Sequence, residues 1–283
     1  MKSRSCRLDL GSITFLLDET LVSKSFQATK AVVTGSSSGI GRAIAIALAK
    51  AGVEQLVVHY RSNESGAIET ADTLRDIGCE PVLLAADLGS ADGRQDLVTG
   101  AFETLGEVQT WVNNAGADVL TGSAAAMDFE GKLRHLLEVD VTGTVLLSRK
   151  IADRLMDQFE RTSNSIPASM VFIGWDQAPE GMEGDAGQMF GPVKAAVMAF
   201  ANSLAQTCAP RLRVNTIAPG WIRTSWGEST SDYWNDRAAG QSLMGRWGHV
   251  DDIAKAVLYA ADPANTFLTA QTLQLNGGFS RRF

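Results

Sequence analysis

Apolar runs of strand length alternate along this chain with longer segments of helical period, and that alternation leaves few folds open. The strand-length runs are Ala31–Thr34, Gln55–His59, Pro81–Ala85, Thr110–Asn113, Met170–Ile173, Arg213–Ile217 and Thr272–Leu275. Helical stretches fall between them near Gly41–Ala51, Ser65–Ile77, Gly93–Leu105, Lys132–Gln158, Lys194–Cys208 and Val250–Ala261. Strands separated by helices pair in parallel, and a parallel sheet must be covered on both faces. With no Pro/Ser-rich linker and no repeat, the pattern predicts one α/β domain, a single doubly wound parallel sheet of seven strands. That domain is expected over residues 29–283, with 1–28 as an extension. The segment 223–244 breaks the rhythm: it holds Trp226, Tyr233 and Trp234 among polar residues, as an amphipathic lid over a cleft would.

Composition removes several function classes. The 283 residues carry 25 Lys+Arg against 32 Asp+Glu, a net charge of −7. That balance argues against nucleic acid or anionic lipid held by bulk electrostatics. No stretch approaches the roughly 18–20 apolar residues of a membrane span. The N-terminal Lys2, Arg4 and Arg7 precede a short apolar run, Ile13–Leu17, which Asp18 and Glu19 end without a small-residue cleavage site. A cytoplasmic protein is therefore expected. The scattered Cys6, Cys79 and Cys208 read as free thiols, and three histidines are too few for a His-rich metal site.

The first strand runs straight into Gly35-Ser36-Ser37-Ser38-Gly39-Ile40-Gly41, and the helix-forming Arg42-Ala43-Ile44-Ala45 follows. A sharp strand-to-helix turn needs glycine where the backbone takes positive φ. It needs glycine again where a side chain would bar a diphosphate from the helix N-terminus. A dinucleotide is the expected ligand, held by Gly35, Ser37, Ser38, Gly39, Ile40 and Gly41. An acid at the end of the second strand would accept bonds from a ribose 2′-OH. Here that strand ends in Arg61-Ser62-Asn63, and a guanidinium pairs with a 2′-phosphate where a carboxylate would repel it. The cofactor expected is NADP(H), with Arg61 and Ser62 at its phosphate.

Thr34 to Gly41 matches the Thr-Gly-x3-Gly-x-Gly pattern of the short-chain dehydrogenase/reductase family, and the chain resembles that family from about Thr29 to its C-terminus. Asn113-Asn114-Ala115-Gly116 matches the family's Asn-Asn-Ala-Gly motif beside the cofactor, and Asp87-Leu88 stands where the family touches adenine. Asn215 to Thr224 is similar to the segment wrapping the nicotinamide, with Pro219, Gly220, Ile222 and Thr224 as contacts. Gln271 to Gly278 looks like the final strand, usually an oligomer contact. The resemblance implies a Rossmann fold, a homodimer or homotetramer, and Asn114, Ala115, Gly116 and Lys194 at the nicotinamide end.

It also implies a catalytic set that this chain lacks. The family takes its proton from a Tyr four residues before a Lys, orients substrate with a Ser and bends a long helix with an Asn. Lys194 fits the Lys position, but Phe190 stands at the Tyr position, Trp175 at the Ser position and Asp140 at the Asn position. Carbonyl reduction needs a proton donor opposite the hydride donor, and neither Phe190 nor Trp175 carries an oxygen-bound proton. The only tyrosines are Tyr60, Tyr233 and Tyr259. Tyr233 in the lid is one substitute; a carboxylic acid of raised pKa among Asp176, Glu183 and Asp185 is another, against the plainer reading of a solvated acidic loop. Trp175 and Phe190 together predict an apolar pocket floor suited to a flat or acyl ligand.

The overall motif set resembles the 3-oxoacyl-thioester reductase branch. Dienoyl-CoA reductases also lack the Tyr, and the peroxisomal ones place Asp where others have Asn. Three readings stand. The first is an NADP(H)-dependent reductase with a rearranged proton donor, acting on a hydrophobic carbonyl or unsaturated acyl-type substrate such as an acyl thioester. The second is a catalytically silent NADP(H)-binding sensor or regulator. The third is a structural subunit without cofactor.

Overall fold

The computed structural model describes residues 26–162, 166–224, 227 and 230–278, so the expectations for residues 1–25 and Trp226 lie outside the described residues. Seven strands form one sheet, all neighbours parallel: β1 (Thr29–Val33), β2 (Val53–Tyr60), β3 (Glu80–Ala85), β4 (Thr110–Asn113), β5 (Ala168–Ile173), β6 (Leu212–Pro219) and β7 (Thr272–Leu275). Their order is β3-β2-β1-β4-β5-β6-β7, so the winding reverses between β1 and β4. The doubly wound parallel sheet read from the sequence is the fold.

Alternate strand residues feed two cores. On one face, Val32, Trp111, Phe172 and Val214 pack under α3 (Ala91–Leu105), α5 (Thr144–Thr162) and α6 (Gly184–Cys208). On the other, Val33, Val58, Val112 and Ile217 pack under α1 (Gly39–Lys50), α2 (Glu64–Ile77) and α8 (Val250–Ala261). β4, β5 and β6 are buried along their whole length, so their polar members must find partners inside, as Asn215 does by donating to the Leu268 carbonyl at 2.9 Å. Phe26, placed in the extension by the sequence, is 2% exposed and belongs to the second core.

Two helices differ from expectation. The single helix expected over Lys132–Gln158 is α4 (Phe129–Leu136), a π-helical turn at Leu137–Gly143, and α5. The wider turn carries Asp140, whose Oδ1 accepts the Ala117 N–H at 2.7 Å. Such turns cost regular hydrogen bonding and need a partner of this kind. The helix expected from Lys194 starts ten residues earlier, at Gly184, and runs through Pro192. Gly191 has no Cβ to clash with the proline ring, which eases the helical conformation at the residue before proline. The segment expected as a lid contains α7 (Asp232–Gln241) among its described residues, and a parallel bridge joins Ile222 to Gly248.

Arg213 on β6 is 2% exposed. Its guanidinium donates to the carbonyls of Ala260, Ala261 and Asp262 at 2.9–3.2 Å, satisfying the C-terminal end of α8, which in turn packs against α1. Arg213→Met keeps the aliphatic stem and strands those carbonyls. It is expected to lower unfolding stability on the order of 3 kcal/mol, read by urea titration, and a loss under 1 kcal/mol would refute this anchoring role.

Candidate functional site

The glycine turn leaves β1 at the point where the winding reverses, the place where open α/β sheets take ligands. Gly35 adopts φ +63°, and a Cβ on Gly41 would lie 2.3 Å from the Gly35 carbonyl oxygen and 2.5 Å from Asn114 Nδ2. Only glycine fits there. Asn114 donates through Nδ2 to the carbonyls of Thr34 and Gly35, tying the end of β4 to the turn. Arg42 secures the other side, donating to the carbonyls of Ser37 and Gly66 and pairing with Glu69. Asn63, Ser90 and Asp128 cap α2, α3 and α4 with their side chains. α1 has no side-chain cap bond and no acidic residue in its first turn, so its N–H groups and positive dipole end stay open to an anion.

A groove of about 430 Å³ runs over this turn. Gly35, Ser37, Ser38, Gly39, Ile40 and Gly41 line it, as do Arg61 and Ser62 beyond β2, Asp87 and Leu88 beyond β3, and Asn114, Ala115, Gly116 and Thr224. Sequence reasoning passed over His59. Its Nδ1 accepts the Gly35 N–H at 3.0 Å, and its Nε2 donates to the Ala86 carbonyl at 3.1 Å. Burial drives its pKa down to about 4, so the ring stays neutral and keeps the lone pair that holds Gly35. Its signal was a histidine at the end of an otherwise apolar strand.

A second cavity of about 590 Å³ adjoins the groove and shares Ile40, Asn114 and Thr224 with it. Lys194, Pro219, Gly220 and Ile222 line this cavity rather than the groove. Trp175 and Phe190 form part of its wall, as their positions predict, with Trp221 and Trp234 contributing from the lid side. Lys194 Nζ donates to Asp140 Oδ2 at 3.0 Å. Asp140 is 2% exposed and does not line the cavity, so its carboxylate holds the ammonium from behind. Two of the three ammonium protons stay available to a ligand.

Neither substitute proton donor reaches the cavity wall. Tyr233 is 62% exposed and lies against Trp234, its hydroxyl accepting from Arg237 at 3.4 Å. Tyr60 lines the groove and Tyr259 is exposed on α8. Glu183 pairs with Arg237 from the surface. Asp176 departs from the solvated acidic loop: it is 4% exposed, accepts from Asn276 Nδ2 at 3.1 Å, and its other oxygen is buried without a partner. Burial raises its pKa to about 6. The folded chain therefore holds a proton there that the unfolded chain releases between pH 3.8 and about 6, and above that window an unpaired carboxylate is buried. Asp176→Asn is expected to raise stability by about 1–3 kcal/mol at pH 8, a gain that fades as pH falls below 6. Unfolding curves at pH 8 and pH 4.5 check it, and an equal effect at both would contradict the buried charge.

A family model described as "Enoyl-(Acyl carrier protein) reductase" matches residues 35–280. The chain is 33% identical over 251 residues to the 3-oxoacyl-[acyl-carrier-protein] reductase of Vibrio cholerae, covering 88% of this chain and 96% of that protein. It is 30% identical over 264 residues to glucose 1-dehydrogenase 2 of Bacillus subtilis, covering 91% and 96%. A short-chain alcohol dehydrogenase structure from Sinorhizobium meliloti superposes with TM-score 0.78 at 26% identity, covering 89% of this chain and 96% of that one. Motifs, sheet order and these similarities agree: the chain belongs to the short-chain dehydrogenase/reductase family.

Proposed function

We propose that this protein is an NADP(H)-dependent oxidoreductase with an altered active site, acting on a hydrophobic carbonyl or unsaturated acyl-type substrate. The observation carrying the proposal is the junction of the two cavities at Ile40, Asn114 and Thr224, which sets an apolar, aromatic-walled space beside the nicotinamide end of a dinucleotide groove. The uncapped α1 terminus and the open space beside Gly39, where a Cβ would meet nothing within 4 Å, fit a diphosphate. Gly35, Ser37, Ser38, Gly39, Ile40 and Gly41 would hold it, with Asp87 and Leu88 at the adenine. Asn114, Ala115, Gly116, Pro219, Gly220, Ile222, Thr224 and Lys194 would hold the nicotinamide half. Arg61 is exposed and makes no ion pair among the described residues, so its guanidinium is open to a 2′-phosphate. Bound there, the cofactor supplies or accepts a hydride.

Lys194 is the one ionisable side chain in the described lining of the second cavity. Its ammonium, kept in place by Asp140, can bind a ribose hydroxyl or an oxygen on which negative charge develops. Trp175 and Phe190 exclude water and offer no oxygen-bound proton, so the proton comes from Lys194 or from a water it holds. A second reading, a silent NADP(H) sensor, draws on the same two residues, since both usual hydroxyls are gone. We assign the chain to the cytoplasm as a homodimer or homotetramer, with the N-terminal extension ending before the buried Phe26 and 223–244 as the lid.

NADPH consumption with a panel of hydrophobic ketones and 3-oxoacyl and 2-enoyl thioesters, beside calorimetric NADPH affinity, tests the proposal. Turnover that Lys194→Ala lowers at least tenfold supports an enzyme. NADPH binding without turnover favours the silent reading, and no binding removes both. Arg61→Asp is expected to reduce the preference for NADPH over NADH at least tenfold, about 1.4 kcal/mol. An unchanged ratio of the two dissociation constants would mean that Arg61 does not meet the 2′-phosphate.

A further inference from the structure

The second cavity is walled by aromatic rings from two directions. Trp175 follows β5 and Phe190 lies on α6; Trp221 follows β6 and Trp234 lies on α7. The lid-side rings are held in advance of any ligand. Trp221 and Trp234 have centroids 5.6 Å apart, and Trp221 also meets Trp247 edge-on at 5.9 Å. The Trp221 Nε1–H donates to Gln241 at 2.9 Å. The Arg237 guanidinium lies 5.2 Å from the Trp234 centroid and 5.9 Å from that of Trp221, fixed by its ion pair with Glu183. Trp175 lies beside α6, its Cζ3 3.9 Å from the place a Cβ on Gly191 would take.

Charge narrows the occupant. Lys194, the one ionisable side chain in the described lining, repels a cation, and Asp140 already balances its charge, so the pair needs no ionised ligand. Preordered indole and phenyl faces favour flat π-surfaces, and a rigid ligand loses less conformational freedom on binding than a chain with many rotatable bonds. The volume suits a small organic molecule.

We infer that this cavity binds an uncharged, planar ring carbonyl compound, stacked on the aromatic rings of its lining (Trp175, Phe190, Trp221 and Trp234), in preference to a flexible acyl chain. This rests on the functional reading only for the identity of the neighbouring cofactor.

The test is calorimetric titration of the full chain, with and without saturating NADP+. The probes are 9-fluorenone, the flexible ketone 2-nonanone and acetoacetyl-coenzyme A. The expected dissociation constant for 9-fluorenone is at least tenfold below those of the other two. Trp234→Leu and Trp175→Leu, which keep apolar bulk but remove the ring face, are expected to weaken 9-fluorenone at least fivefold and 2-nonanone less than twofold. Equal affinity for the two ketones would overturn the inference, as would the thioester binding as tightly as 9-fluorenone, no 9-fluorenone binding, or equal losses for both ketones in the variants. A chain that binds no NADP+ yet ranks the probes as expected would sink the functional reading and leave this inference standing.

Discussion

Everything at this site descends from β1 pairing in parallel with both β2 and β4. A parallel sheet sends every strand's carboxyl end to one rim, and the reversal of winding at the β1/β4 boundary parts the covering helices there. The turns after β1 and β4 then meet: Asn114 bonds the Thr34 and Gly35 carbonyls, and the Thr34 hydroxyl accepts from the backbone N–H groups of Asn114 and Ala115. The turns after β5 and β6 open onto the same rim and supply Trp175 and Trp221. Segments more than a hundred residues apart in sequence thus form one continuous groove and cavity.

On the proposed reading, the catalytic half is altered coherently rather than piecemeal. Losing one hydroxyl would leave a polar pocket with a missing member. Here both expected hydroxyl positions carry aromatic rings, and the Asn position carries a carboxylate. An ammonium facing an apolar cavity is costly without a counter-charge, and Asp140 provides one at 3.0 Å from a nearly buried position. The carboxylate has its own second bond, from the Ala117 N–H, so neither charge rests on the other alone. The π-helical turn that presents Asp140 is the local distortion this arrangement entails.

What the sequence made legible follows the range of the forces involved. The seven strands and the glycine turn are local patterns, an apolar run ending in residues of special backbone freedom, and the sheet reproduces all seven strands within a few residues. The break at Leu137–Gly143 was marked only through the resemblance, which sets a helix-bending position at Asp140; the bond from Ala117 and the contact with Lys194 give it its structural form. α6 was started too late because Pro192 reads as a stop. His59 was opaque, and Asp176 legible only as one of three acids that could carry a raised pKa, for one reason: their roles depend on burial by distant segments, Ala86 for one and Asn276 for the other.

Constraint is distributed unevenly between the two halves of the site. On the dinucleotide side, backbone contacts leave no freedom: a single methyl at Gly41 would overlap a carbonyl oxygen and an amide nitrogen together. That contact lies within the chain: Gly41 lets the turn close against Asn114, and the turn so held leaves the N-terminus of α1 open to a diphosphate. On the other side, the wall is made of side chains rather than backbone, and ring contacts such as Trp221 with Trp234 and Trp247 can be exchanged without moving a strand. On the proposed reading, cofactor chemistry is therefore fixed by the scaffold, while substrate chemistry is set by a few aromatic side chains and one paired lysine. This asymmetry explains why family membership follows from the groove, whereas the choice of substrate must be argued from the cavity.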